Sequence, residues 1–392
     1  MLGLDSEINF DPARAEEFFE SVPPRPAVVR IEPHKSLAGA RPVLLRTADL
    51  RRRMRLLLSE RDAASRRLNL REYAAAIHFR VTGSRFEQAL VHWREARILW
   101  PTNYRERLRL SSPALVKLNL SNAYPRAYVT RRVSPRGLYF GPFATRRAAE
   151  SFLQPLLDLF RIRRCQIKIR RDPAFPGCIY SEMKMCLAPC FKGCTDDEYR
   201  AEVSHVQSYF DSGGTSLLHE ISMQREAAST SLDFETAAAY HAHLEKLQPT
   251  LSQLPEIVRR IDHLSALMVQ PSATPQSVDF FRIHSGCIDG PLVFPIQSLE
   301  HTKSQSIESR IQEALATSQP ATKAALETME HLALIKRWYY RSHRIGEIFF
   351  ADQKGVLPFR RIVRGISRVY RGEKPEPEPL PPATSRTGEN RV

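Results

Sequence analysis

The period of apolar positions along this 392-residue chain changes several times, and each change marks an element. Two short β-like runs, 27–31 and 42–45, precede helical spacing that starts at Asp49 and again at Ser84. Residues 114–134 alternate apolar and polar side chains, as a strand pair does. Tyr139 to Phe143 reads as a tight aromatic, glycine and proline turn, followed by a helix over 146–160. From 197 to 250 the spacing is helical throughout, and a further helix is expected after Pro255. A loop rich in Pro, Ser and Thr at 271–277 leads to a hairpin, with Val278 to Ile283 and Leu292 to Ile296 joined through Asp289-Gly290. Residues 305–342 read as two helices separated near Pro320.

These patterns predict a multidomain α/β (α+β) protein. Its expected parts are a peripheral acidic N-terminus (1–24), a compact arginine-rich domain (25–110), a basic cysteine-rich domain (111–200), a helical region (201–252), a small α+β domain (255–372) and a tail (373–392). The tail is charged, rich in proline and without period, so disorder is expected there.

The formal charge of +15 makes a polyanion the first partner to consider, because cations bound to phosphates release condensed counterions. No uninterrupted apolar run approaches the roughly 20 residues of a membrane span. The first ten residues are acidic rather than basic and then apolar, so no secretory leader is expected, and the cytoplasm is the expected compartment.

Five of the six cysteines fall within thirty residues: Cys165, Cys178, Cys186, Cys190 and Cys194, with Cys287 apart. Reduced thiols gathered in this way read as a soft-metal site, the bland alternative being buried free cysteines. Zinc sites favour paired Cys-x2-4-Cys knuckles, which only the last part of this spacing matches. An iron–sulfur cluster accepts the irregular arrangement better, with zinc as the alternative. Arg163, Arg164, Lys168, Lys184 and Lys192 stand near enough in sequence to offset thiolate charge.

The same segment resembles the UvrC family of the bacterial excinuclease. The resemblance is carried by Tyr124-Pro125-Arg126, by Gly137-Leu138-Tyr139-Phe140-Gly141-Pro142-Phe143 and by Cys186-Leu187-Ala188-Pro189-Cys190. It implies nucleotide excision repair, and a cluster (4Fe–4S) held by Cys165, Cys178, Cys186 and Cys190, with Cys194 a bystander or spare ligand. Residues 216–247 have the apolar spacing of an ordinary amphipathic hairpin. Met223-x3-Ala227-x4-Leu232-Asp233-Phe234-Glu235-x-Ala237-Ala238 is also similar to the UVR motif through which UvrB and UvrC proteins pair. That likeness implies a UvrB-like partner, with Phe234 as aromatic anchor flanked by Leu232, Ala238 and His241. Where the family usually has Arg-Asp, this chain has Tyr240-His241 or His241-Ala242.

The family begins with a GIY-YIG nuclease domain, whose catalytic tyrosines, lysine, arginine and glutamate serve as base, cation and metal ligand. The window 26–104 resembles such a domain in degenerate form. Val29 and Val43 take the tyrosine positions, Leu45 a glycine position, Arg46 the lysine position and Arg53 the arginine position. Counting back from Pro101, His92 takes the glutamate position, with Glu87 and Glu95 within about one or two helical turns. Valine moves no proton, and neutral histidine suits magnesium poorly.

Basic stripes complete the picture. Ten arginines face three acids between Arg41 and Arg71, and twelve basic residues face two acids between Arg126 and Arg171, interleaved with Tyr128, Tyr139, Phe140 and Phe143. Arg51, Arg53, Arg131, Arg132, Arg146 and Arg147 are the first candidates for DNA contact. The expected protein is a shortened UvrC relative that binds DNA and a UvrB-like partner, with nuclease activity lost and magnesium needed only if it is retained. Two alternatives stand beside it: a divergent single-incision endonuclease using His92, Glu87 or Glu95, and a regulatory adaptor acting through the hairpin alone.

Overall fold

Alternation and helical period do sort the chain into strands and helices, and tertiary packing joins them into three four-stranded antiparallel sheets. The computed structural model describes residues 3–37, 39–60, 67–134, 137–252, 254–296, 306–316 and 324–375. The expected break near Pro320, and all but the first residues of the 373–392 tail, lie outside the described residues.

The first sheet has the order β1-β4-β2-β3, made from β1 (Ser6–Asn9), β2 (Ala27–Pro33), β3 (Val43–Thr47) and β4 (Ala74–Val81). On one face Ala27, Val29, Ile31, Ile77 and Phe79 pack with α1 (Ala15–Ser21) and α2 (Leu50–Leu58) through Phe18, Phe19, Leu50 and Met54. The acidic N-terminus is therefore not peripheral. It supplies the strand Ser6–Asn9 and buries Phe10, Phe18, Phe19 and Val22, and this apolar content outweighs its net charge. Asp49, where helical spacing was expected to begin, caps α2 at the Arg52 amide.

Helix α3 (Arg85–Leu99), capped by Ser84, covers the opposite face. It carries apolar residues on more than one side because it is sandwiched. Gln88 donates to the carbonyls of Ala27 and Thr47, while Glu95 meets Arg30 at 2.9 Å and Glu87 meets Arg80 at 3.3 Å. Its other side enters a core shared with the C-terminal part of the chain, together with the short α4 (Tyr104–Arg107).

The second sheet has the order β6-β5-β7-β8, from β5 (Ala114–Leu118), β6 (Ala127–Thr130), β7 (Leu138–Phe143) and β8 (Arg259–Arg260). The stretch Tyr139 to Phe143 is thus a strand, not a turn. A register shift between Ala114 and Val116 accommodates its Gly-Pro pair, and Phe140 and Phe143 fill the core beneath. Around it pack α5 (Arg146–Leu159), α7 (Asp196–Asp211), α8 (Thr215–Thr230) and α9 (Phe234–Ser252), with the short α6 (Ile179–Glu182) in the cysteine loop.

The third sheet has the order β11-β10-β9-β12, from β9 (Ala266–Pro271), β10 (Ser277–His284), β11 (Cys287–Pro295) and β12 (Glu347–Phe350). Where a helix was expected after Pro255, the chain gives β8, one turn at Ile261–His263 and β9. The hairpin turn sits at Ser285-Gly286, both at positive φ, and Asp289-Gly290 lies inside β11. The two residues between His284 and Cys287 match the primed turns that right-twisted strands prefer. One face of this sheet holds α10 (Ile307–Ala316) and α12 (Phe359–Arg371), and the other holds α11 (Ala325–Tyr339).

The core on that second face crosses the expected boundaries. Phe86, Leu90, Trp93 and Ala96 of α3 pack with Phe281, Ile283, Leu332, Ile335 and Trp338. Gly83 is pressed against the 271–273 backbone so closely that a methyl group would strike the Pro271 carbonyl. At this seam lies Asp279, 2 % exposed. Burial pushes its carboxyl up to about 7, Glu87 adds to this, and Ser272 and Arg80 oppose it. The unfolded value is about 4, so the native state binds the extra proton between about pH 4 and 7. This stabilisation is complete below that window and is lost as pH rises through 7, on the order of 4 kcal/mol. Asp279→Asn should therefore gain melting temperature over the native protein on going from pH 5 to pH 8. Parallel melting profiles would refute this.

Candidate functional site

The fold separates the five positions expected to be vestiges of a nuclease site. Val29 and Val43 turn into the α1–α2 core, with Arg53 half-buried on α2 at that side of the sheet. Leu44 points the other way, into the core containing α3 and α11, and Arg46 emerges on that same side of β3. There Arg46 lies near His92, whose imidazole is pushed down to about 4, first by burial and then by the Arg46 guanidinium. His92 is thus neutral at pH 7. Glu87 accepts from the Gly83 amide at 2.8 Å besides pairing with Arg80, and Glu95 pairs with Arg30. Both carboxylates are buried in structural roles.

Near Arg46 stand residues the sequence reading missed. The charged groups acting on Arg46 are Arg337 and Arg341, and those acting on Lys336 are Arg131 and Arg337. The only sequence signal was the run of cations closing α11, at helical spacing after an apolar stripe.

The cysteine loop folds back on itself through left-handed backbone at Arg171, Lys184, Ala188 and Lys192. For side chains with a Cβ this conformation carries strain, which persists where the surroundings hold it. The loop brings Cys165, Cys178, Cys186 and Cys190 within electrostatic reach of one another. Burial pushes the Cys186 thiol up to about 11; the Ala188 amide, 3.3 Å from its sulfur, opposes this, and Cys165, Cys190 and Cys178 add to it. Among the described residues, no three His, Cys, Asp or Glu side chains are gathered tightly enough for a single metal ion. Cys194 faces the hydrophobic core instead. Of the expected compensating cations, Arg163 donates to the Tyr124 and Ile167 carbonyls, and Arg164 to the Leu157 carbonyl and Asp158.

The helical hairpin presents its tip to solvent. Leu232 is 72 % exposed and Phe234 66 %, with Asp233 capping α9 at the Thr236 amide. Ala238 and His241 follow at i+4 and i+7 from Phe234 on the same exposed face.

The basic stripes are partly occupied. Arg51 donates to the Val22 and Glu20 carbonyls and thereby ties α2 to the end of α1, and Arg146 pairs with Glu150. Arg131, Arg132 and Arg147 are exposed. Tyr139, Phe140 and Phe143 are core residues rather than stacking platforms, since β7 is a central strand. Tyr128 is half-buried beneath Arg126.

Residues 115–209 match the family model described as the UvrC/Cho excinuclease middle domain. The UvrABC system protein C of Idiomarina loihiensis is 34% identical over 146 residues, which is 34% of this chain and 24% of that protein. That of Serratia proteamaculans is 27% identical over 236 residues, 60% of this chain and 38% of that protein. That of Natronomonas pharaonis is 29% identical over 266 residues, 64% of this chain and 44% of that protein. The chain is thus similar to UvrC proteins, and its middle part matches their middle domain. It spans from about a quarter to under half the length of these curated relatives. No solved structure matches it. The UvrC match includes all five clustered cysteines and the aromatic strand β7. Among the described residues, no helix is long and apolar enough to cross a membrane.

Proposed function

We propose that this UvrC relative acts in nucleotide excision repair as a DNA- and UvrB-binding protein without nuclease activity of its own. The observation that carries the loss of cleavage is the state of the candidate carboxylates. Val29 and Val43 offer no hydroxyl, His92 is neutral, and Glu87 and Glu95 are each held by an arginine. Binding magnesium through either glutamate would break a buried ion pair, which costs about 3–5 kcal/mol. DNA contact is supported by the charge of +15 and by exposed Arg131, Arg132 and Arg147. A UvrB-like partner is supported by the exposed apolar tip of the α8–α9 hairpin.

An iron–sulfur cluster is favoured over zinc by the irregular spacing Cys165-x12-Cys178-x7-Cys186-x3-Cys190, only the last part of which resembles a zinc knuckle. Cys165, Cys178, Cys186 and Cys190 would hold the cluster. When bound it supplies a four-point cross-link of the loop and a one-electron redox centre. Protein purified without oxygen should carry close to four irons per chain, bind DNA, and fail to nick lesion-bearing duplex with UvrA, UvrB and magnesium. Lesion-dependent nicking that vanishes in Arg53→Ala would overturn the loss of cleavage.

A further inference from the structure

We propose that the junction of β3, the end of α11 and the second sheet is a metal-free clamp for a DNA phosphate backbone, built by Arg46, Lys336, Arg337, Arg341 and Arg131. It rests on the DNA-binding reading above and locates it at residues that the basic stripes largely omit. β3 is the edge strand of its sheet, so Arg46 projects beside a rim that no further strand covers. Leu44, two residues before it on the same face, is anchored in the core that holds α11. The end of α11 is fixed in turn: Arg337 donates to the Arg109 carbonyl at 2.8 Å, and the Tyr340 hydroxyl to the Pro142 carbonyl of β7 at 3.0 Å. Three parts of the fold thereby hold their cations toward one another.

Among the described residues, the charged groups that act on Arg46, Lys336 and Arg337 are themselves cations. Arg46 is acted on by Arg337 and Arg341, Arg337 by Arg341, and Lys336 by Arg131 and Arg337. Several arginines elsewhere are matched instead: Arg30, Arg55, Arg80, Arg146, Arg260 and Arg368 each pair with a carboxylate. The C-terminal end of α11 offsets part of the repulsion between Lys336 and Arg337 through its dipole. A row of phosphates would offset the rest, and arginine forks suit phosphate oxygens. The neutral His92 beside Arg46 leaves a hydrogen-bonding group there but no metal carboxylate.

The test is binding of a fluorescein-labelled duplex across a salt series, with EDTA present throughout. Arg337→Ala/Arg341→Ala should weaken binding about tenfold near 100 mM salt and flatten the log–log salt slope by nearly two, at about 0.9 per phosphate contact. Arg46→Ala, at an exposed edge position, should flatten it by about one. Arg337→Lys/Arg341→Lys should restore most of the slope, because it keeps the charge. If Arg46→Ala and the double alanine variant bind with the native slope, the clamp is refuted while DNA binding stands. If the native protein binds no duplex at low salt, the DNA-binding reading falls and the clamp falls with it. Binding that EDTA abolishes would also overturn the clamp.

Discussion

Glu330→Ala is expected to destabilise the protein by about 2–5 kcal/mol, the scale for leaving two buried donors without an acceptor. Glu330 is 2 % exposed on α11 and ties three groups of the N-terminal half to the C-terminal half. The Tyr104 hydroxyl donates to it at 2.6 Å, the Trp93 indole at 3.2 Å, and Arg105 lies 3.4 Å away. Alanine leaves the indole and phenol donors buried without acceptors, whereas Arg105 turns to water. Glu330→Gln keeps the shape and one acceptor oxygen, so it should fall between. All three tryptophans of the chain sit in or against this core, which makes their fluorescence a direct reporter. A urea titration should show one transition, moved to lower urea in the alanine variant. A shift worth less than 1 kcal/mol, or two separate transitions, would show that the halves are not coupled through this core.

Phe234→Ala should act in the opposite sense, leaving stability nearly unchanged while removing partner affinity. Because the ring is largely in water, its removal creates no cavity, and the melting temperature should move by no more than an ordinary surface substitution does. If the ring anchors a UvrB-like partner, truncation should weaken that complex at least tenfold, as for a buried aromatic hot spot. Phe234→Asp should weaken it further by forcing a charge into an apolar pocket. Titration calorimetry with a UvrB protein decides it. Equal affinity for native and Phe234→Ala protein would remove the hairpin from the interface.

Local signals were legible where the chemistry is local. Asp49, Ser84 and Thr195 sit before helices because their side chains satisfy the first free amides, a relation that needs only three or four residues. The convergence of the cysteines follows from their closeness in sequence, and the exposed hairpin tip follows from two helices joined by a short turn. Misreadings arose where distant segments decide. Asp289-Gly290 has the composition of a hairpin turn, yet strand register places the turn at Ser285-Gly286. Tyr139 to Phe143 looks like a turn by composition, but pairing with β5 makes it a strand.

By itself, the sequence determined the class of the protein, its likeness to UvrC, the absence of tyrosine from residues 26–46 and the residues that crowd the cysteine loop. Each depends on residue identity or short spacing. Only the tertiary structure decided that Glu87 and Glu95 are locked to arginines, and that α3 belongs to two cores. It also decided that Arg46 lies within electrostatic reach of Arg337 and Arg341, nearly three hundred residues away in the chain. Burial and charge pairing are properties of position in space, and no periodicity along the chain carries them.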